Sequence, residues 1–308
     1  MSRFTTPFGF ASTAADVLAD VDLSGQRAVI TGATSGIGVE TARALAAVGA
    51  DVVLGVRRLA AGREVATQIT ESTGNPDVTA AFLDVANLAS VRDFVARFSA
   101  KPVHMLINNA GIMALPELVR SVDGHEMQFA TNFLGHFALT VGLHGALRAA
   151  GGARVVSVSS SGHLFSPVVF DDLDYRFRTY DPWTAYGQSK TADVLLAVGV
   201  TQRWQDDQIV GNALNPGAIA TGLQKHTGGL RTPADRRKTV EQGAATSVLL
   251  AASPLVEGIG GRYFDDCNES PVVAERPEDF SGVAPYALDP DNATRLWDIG
   301  TAFADRIV

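Results

Sequence analysis

The 308-residue chain has one cysteine, Cys267. An intrachain disulfide is therefore impossible, and nothing in the fold depends on an oxidising compartment. Long apolar runs are missing too. None reaches the roughly 20 residues a helix needs to cross a bilayer, so no membrane span is expected. From Met1 to Asp20 there is a single arginine, two aspartates and no apolar core of the kind a secretory signal carries. A cytoplasmic location is the expectation. Basic runs are short: the longest is Arg236-Arg237-Lys238, in a chain of formal net charge −8. That argues against a broad phosphate-tracking surface, and nucleic acid is not an expected partner. The six histidines show no His-Glu-x-x-His or similar ligand spacing, so no metal site is expected.

What the chain does have is a regular alternation. Short β-branched runs at 27–31, 51–56, 78–83, 103–107, 153–158, 209–214 and 261–264 alternate with alanine-rich segments of helical spacing. In the segment 88–98, Leu88, Val91, Phe94, Val95 and Phe98 fall on one face. The strands are nearly continuous apolar runs, as expected when helices cover both faces of a parallel sheet. The predicted fold is a single α/β domain over 1–308, a Rossmann-type doubly wound parallel sheet of about seven strands. Residues 1–24 read as an N-terminal extension ending in a short helix. Residues 218–244 read as a substrate lid, and 265–308 as an irregular C-terminal cover rich in Pro, Asp and Gly.

The first strand runs directly into Thr31-Gly32-Ala33-Thr34-Ser35-Gly36-Ile37-Gly38, and a helix follows. Glycines there allow a tight turn and let the backbone approach a pyrophosphate at the helix N-terminus. A fold that selects NAD places an acid at the end of the second strand, on the ribose 2′-hydroxyl. Here that strand ends Leu54-Gly55-Val56-Arg57-Arg58. The acid is missing, and Arg57 suits a 2′-phosphate that a carboxylate would repel. NADP(H) is favoured over NAD(H).

Tyr186-Gly187-Gln188-Ser189-Lys190 places a phenol and an ammonium on one face of a helix. A free phenol titrates near about 10, and a nearby ammonium lowers that value toward useful acid/base chemistry. Three further turn motifs sit at strand ends, on the carboxyl edge where α/β sheets build sites. They are Asn108-Asn109-Ala110-Gly111, Ser159-Ser160-Ser161-Gly162 and Asn215-Pro216-Gly217.

With these motifs the chain, from about Gly25 to Phe264, resembles the short-chain dehydrogenase/reductase superfamily. The matching features are Thr-Gly-x-x-x-Gly-x-Gly at 31–38, Asp84-Val85, Asn-Asn-Ala-Gly at 108–111, the serines at 159–161, Tyr-x-x-x-Lys at 186–190 and Pro-Gly at 216–217. Thr131-Asn132-Phe133-Leu134-Gly135-His136-Phe137 and Gly55-Val56-Arg57 are similar to the retinol-dehydrogenase-like and WW-domain-oxidoreductase-like branch. The resemblance implies an oxidoreductase that moves a hydride between nicotinamide and a carbonyl or alcohol, a lipophilic one by analogy with the branch. Tyr186 would then exchange a proton with the substrate oxygen, and Ser160 would hydrogen-bond it. Lys190 would lower the phenol's pKa and hold the nicotinamide ribose, and Asn132 would support a water-linked proton relay through Lys190. The cofactor would lie against Gly32, Ser35, Gly36, Ile37, Gly38, Arg57, Asp84, Val85, Asn109, Ala110, Gly111, Pro216, Gly217, Ile219 and Thr221.

One departure concerns the 25 residues between Ser160 and Tyr186, more than many members have. They fall where many relatives form helix-to-helix tetramer contacts, so a monomer or homodimer is expected. The acidic residues Asp171, Asp172 and Asp174 in this segment read as solvated, and His163 as either packing or bordering substrate. Two other readings stay open on the sequence: a cofactor-binding regulatory or scaffold protein without net turnover, and a dehydratase or epimerase of the same fold.

Overall fold

A computed structural model describes residues 3–304. The chain runs α1 (Ala14–Val17), β1 (Arg27–Thr31), α2 (Ile37–Ala47), β2 (Asp51–Val56), α3 (Leu59–Thr73), β3 (Val78–Phe82), α4 (Leu88–Phe98), β4 (Met105–Asn108) and α5 (Met127–Phe129). A π-helical turn (Ala130–Leu134) leads into α6 (Gly135–Gly142), α7 (His144–Arg148), β5 (Arg154–Val158), α8 (Pro182–Trp204) and β6 (Val210–Asn215). The last third holds β7 (Ala218–Ile219), β8 (Arg237–Lys238), α9 (Val240–Ala252), β9 (Arg262–Asp265), β10 (Asn268–Glu269), α10 (Pro285–Leu288) and α11 (Pro290–Ala304).

The main sheet has eight strands in the order β10-β9-β6-β5-β4-β1-β2-β3. Seven are parallel, and β10 turns back antiparallel on β9. The eighth strand is a two-residue hairpin arm, too short to leave an alternating pattern in the sequence. Successive strand residues point to opposite faces, and the core divides accordingly. Ala28, Ile30, Val52 and Leu54 pack with Leu45, Ile69 and Val248 on one side. Val29 and Val53 pack with Phe94, Phe133 and Leu195 on the other. Local signals set the helix ends. The Asn87 side chain accepts from Ala89 N and Ser90 N to cap α4, and Asp181 accepts from Thr184 N to start α8 one residue before Pro182.

Two boundaries differ from the expectation. The C-terminal stretch is not irregular throughout: residues 290–304 form α11, whose Ala293, Leu296 and Gly300 are buried. Trp297 reaches the rings of Phe137 and Trp204 at 5.1 and 5.2 Å. The helix's inward residues Ala293, Leu296, Trp297, Gly300 and Phe303 recur at helical spacing, but the Pro- and Asp-rich approach hides the pattern. The segment expected as a lid runs into α9, so 240–244 are already helical, with Gly243 and Ala244 buried. The N-terminal residues are tied in at both ends. Phe4 N donates to Glu269 and Thr6 N to Asn268, while α1 contributes Ala14 and Val17 to the core.

Helix α8 is buried at every position from Ala185 to Val200 within the single chain. The segment 161–181 supplies part of the cover, and two of the three acids expected to be solvated, Asp172 and Asp174, are not. Asp172 accepts from the backbone N–H groups of Arg176, Phe177 and Arg178. Asp174, largely buried, accepts from Glu126 N at 2.9 Å and contacts His125 Nδ1 at 3.1 Å. Of the three, Asp171 is the exposed one. Gln128 binds the other end of the segment, accepting from Ala114 N and donating to Tyr180 Oη and Pro182 O. Gly135 is required on the inner side: a Cβ there would lie 1.8 Å from the Val85 carbonyl oxygen.

Glu126, fully buried, caps α5 by accepting from Gln128 N and Phe129 N. Burial pushes its carboxyl up to about 7, against the pull of those two N–H groups. The folded state therefore holds this proton more tightly than the unfolded chain. The contribution is full below the ordinary value of 4.5 and is lost as pH rises through about 7. Glu126→Gln keeps an acceptor without the charge. Its melting temperature relative to the parent is expected to climb between pH 5 and pH 8 by a few degrees, on the order of 2 kcal/mol. A gap that stays constant with pH would contradict this assignment.

Candidate active site

The carboxyl ends of β1, β4, β5 and β6 open on one cavity of about 610 Å³. At its centre lies the turn after β1. Gly32 has φ +73°, and a Cβ there would come within 2.7 Å of Ala110 Cα, so the turn rests directly on the end of β4. One hydroxyl locks the two together. Thr31 Oγ1 accepts from Asn109 N and Ala110 N, both at 2.9 Å, while Asn109 Nδ2 donates to Thr31 O. The Thr31 proton goes to His136 Nε2 at 2.8 Å, because His136 Nδ1–H is committed to the Asn132 carbonyl at 2.7 Å. Burial holds the His136 ring at about 4, so it is the neutral tautomer that bridges these groups.

Around the turn, Ser35, Gly36, Ile37 and Gly38 line the cavity at the start of α2. A helix N-terminus with free N–H groups is suited to a pyrophosphate. Further out, Arg57, Arg58, Asp84 and Val85 form one end wall, with Arg57 and Arg58 exposed. Asp84 is the only acid among the lining residues described, against the cations Arg57, Arg58, Lys190, Lys225 and Arg231. In a chain of net charge −8 this concentration favours an anionic ligand. Among the described residues no group of three His, Cys, Asp or Glu side chains could hold a metal ion.

The opposite end holds Ser160, Tyr186 and Lys190. Gly162 lies between two of them: a Cβ on it would be 2.6 Å from the Tyr186 ring and 3.3 Å from Ser160 Oγ. Ser160 Oγ accepts from Gly162 N, which leaves its own proton available. Ser159 is spent, donating to the Lys190 carbonyl at 2.7 Å. Lys190 Nζ donates to Val158 O at 2.9 Å and to Asp193 Oδ2 at 2.8 Å. Asn109, Ala110, Gly111, Pro216, Gly217, Ile219 and Thr221 complete the wall.

Asn132 is the predicted residue that the structure keeps off this wall. It is fully buried, its side chain accepts from Ile112 N and donates to Ile112 O and Ser189 Oγ, and its carbonyl takes the His136 proton. His163 is packing: its Nδ1–H donates to Ser160 O and its Nε2 accepts from Ala284 N. Thr31, His136 and Asp193 were not predicted. Thr31 opens the glycine turn, His136 lies four residues after Asn132 and Asp193 three after Lys190, but nothing local says what such a side chain reaches.

The cavity wall also carries large apolar side chains. Met113, Phe165, Trp183, Leu223 and Leu230 are among them, and the Trp183 ring stands edge-on to Tyr186 at 6.4 Å and 5.6 Å from Phe165.

Residues 26–229 match the family model of the short chain dehydrogenases. The chain is 51% identical over 294 residues to a probable oxidoreductase of Streptomyces antibioticus, covering 91% of this chain and 98% of that one. It is 41% identical over 272 residues to the polyprenol dehydrogenase of Mus musculus, covering 83% and 80%. A crystal structure of an uncharacterised protein from Mycobacterium paratuberculosis superimposes with a TM-score of 0.74 at 32% identity, covering 96% of this chain and 98% of that one. With a nicotinamide-binding fold, and relatives of this likeness over nearly its whole length, the chain belongs to the short-chain dehydrogenase/reductase family of oxidoreductases.

Proposed function

We propose that the chain is an NADP(H)-dependent reductase or dehydrogenase of lipophilic ketones, aldehydes or secondary alcohols, with Tyr186 as its acid/base. The observation that carries this reading is the continuity of one cavity from Arg57, through the glycine turn, to Ser160, Tyr186 and Lys190. The glycine turn and α2 would hold the pyrophosphate, and Asp84, Val85 and Asn109 to Gly111 the adenosine. Pro216, Gly217, Ile219 and Thr221 would hold the nicotinamide end. When bound, the nicotinamide gives or takes the hydride. The chain's own side chains manage the proton and the position. Ser160 holds the substrate oxygen by its free hydroxyl proton, and Tyr186 gives that oxygen a proton in reduction or removes one in oxidation. Lys190 places a positive charge beside the phenol.

Selection of the 2′-phosphate follows from charge. No carboxylate stands at the end of β2, and Arg57 is exposed on the cavity wall there. The preference for lipophilic substrates is supported by the apolar side chains Met113, Phe165, Trp183, Leu223 and Leu230 on the cavity wall and by the likeness to a polyprenol dehydrogenase. The continuous burial of α8 within one chain supports a monomer or homodimer, since no stripe of that helix is left to pack on a second copy.

The test is consumption of NADPH, with NADH alongside, against a panel of long-chain aldehydes, aryl ketones and polycyclic ketones. Turnover is expected with NADPH. In Tyr186→Phe it is expected to fall by about 10²-fold or more, as for the loss of a general acid, with NADPH affinity within a few-fold. Turnover unchanged in that variant would remove Tyr186 from the chemistry. Arg57→Ala is expected to weaken NADPH by about tenfold or more, the scale of one charge-assisted hydrogen bond, and to leave NADH within about twofold. Equal losses for the two would leave Arg57 a packing role only.

A further inference from the structure

Lys190 does not stand alone behind the phenol. One turn along α8, Asp193 brings Oδ2 to 2.8 Å from the ammonium, and both side chains are only 5% exposed. A lysine has three N–H donors. One goes to Asp193 and one to the Val158 carbonyl. The third is left for the cavity, on the side of Gly111, where a Cβ would lie 3.7 Å from Nζ. Asp193 therefore helps to set where Lys190 points. It also sets how much positive charge the Tyr186 ring meets, since Nζ lies 5.8 Å from that ring's centre.

The other titratable groups packed around this pair leave that role to Asp193. His136, fully buried on α6, is neutral, and so is His163, which burial likewise holds at about 4. Tyr263 of β9, whose ring lies 4.8 Å from that of His163, is buried, and burial raises its phenol well above the ordinary range. Asp265, two residues on, is bonded to Asn215 Nδ2, and the neighbouring Asp266 pairs with Lys238. Burial works against the charge on Lys190, and the Asp193 carboxylate, with a smaller contribution from Tyr186, offsets it and holds the ammonium above the ordinary lysine value.

We infer that Asp193 is a positioning residue that aims the Lys190 ammonium and cancels part of its field at Tyr186, setting the pH at which the phenol releases its proton. The inference rests on the reading of Tyr186 and Lys190 as the acid/base pair. The sign follows directly. Asn at 193 keeps an oxygen for the lysine but removes the negative charge, so the phenolate faces more positive potential and forms at lower pH. A purely structural Asp193 would affect stability and leave that titration where it is.

The chain has five tyrosines, so ¹³Cζ-tyrosine labelling gives a short spectrum in which the Tyr186 signal is the one lost in Tyr186→Phe. Titrated without cofactor or substrate, Tyr186 in Asp193→Asn is expected to ionise at a pH lower by about one unit, tenfold in proton affinity. Asp193→Glu, which retains the charge, is expected to follow the parent. Superimposable curves for Asn and parent, including curves that both stay flat to high pH, overturn the inference. So does an equal shift in the Asn and Glu variants. Should Asp193→Asn not fold, ¹³Cγ-aspartate labelling of the parent decides: Asp193 must be a carboxylate at mildly alkaline pH, and a protonated carboxyl there overturns the proposal. These readouts need no turnover, so an enzyme inactive with every carbonyl would sink the proposed function and leave this test standing.

Discussion

The half of the sheet's carboxyl edge that carries the glycine turn hangs on the Thr31 hydroxyl. It closes β1 onto the end of β4 through two backbone N–H groups, and through His136 it reaches the π-helical turn that carries Asn132. The phosphate-binding turn, the floor of the cavity and the entry to α6 are therefore one hydrogen-bonded unit. Such a chain works only if every member is satisfied and uncharged, because an unmatched buried polar group costs about 1–3 kcal/mol. A neutral His136 meets that condition. It can accept from a hydroxyl on one side and donate to a carbonyl on the other, which an imidazolium could not do.

A second constraint acts from outside. A helix buried along 16 successive residues, Ala185 to Val200, must be apolar or internally satisfied all round. Most of α8 meets this with Ala, Val, Leu and Gly, and the exceptions are the functional or tethered residues. Gln188 is held by Val169 N and Leu173 O, Thr191 by His163 O and Ser166 O, and Lys190 by Asp193. The segment 161–181 thus covers the helix with the same bonds that position the residues around Tyr186. Its chemistry-bearing acids, Asp172 and Asp174, bind backbone N–H groups, which explains how so long an insertion stays ordered without a strand or an α-helix of its own.

The parts of this molecule that are legible in the sequence are those whose meaning is local. The glycine turn after β1, the tyrosine and lysine four residues apart, and the strand ends at 108–111, 159–162 and 215–217 can each be read from a few neighbouring positions, and the cavity brings these segments together. The cross-chain partnerships are not legible. Thr31 and His136 are 105 residues apart, and neither carries a mark of the other. Asn132 is given a part in a proton relay only by the resemblance, and nothing near it in the sequence says that its amide binds Ile112 and Ser189. Asp193 looks like any helical acid three residues after a lysine, most of which are solvated. Helix α11 escapes although Ala293, Leu296, Trp297, Gly300 and Phe303 fall at helical spacing, because the Pro-, Asp- and Gly-rich stretch before it reads as irregular.

Three acids near this edge, Glu126, Asp193 and Asp265, are all pushed upward by burial, to about 7, 7 and 6. Glu126 and Asp265 oppose the folded state at neutral pH, since a raised carboxyl binds its proton better folded than unfolded, whereas Asp193 is matched by the lysine whose charge it supports. Apolar residues of similar volume in such places are often neutral or stabilising. Their persistence therefore has to be sought in what they hold. Glu126 fixes the start of the helical segment that leads to Asn132, Asp265 holds the Asn215 amide, and that amide's oxygen accepts from Ser161 N beside Ser160. Asp193 holds the lysine itself. Asp193 and Asp265 sit beside groups of the site, Glu126 at the start of the segment that leads to it, and each orients what it holds. That is the distribution expected when a site, and not the core, dictates where charge is buried.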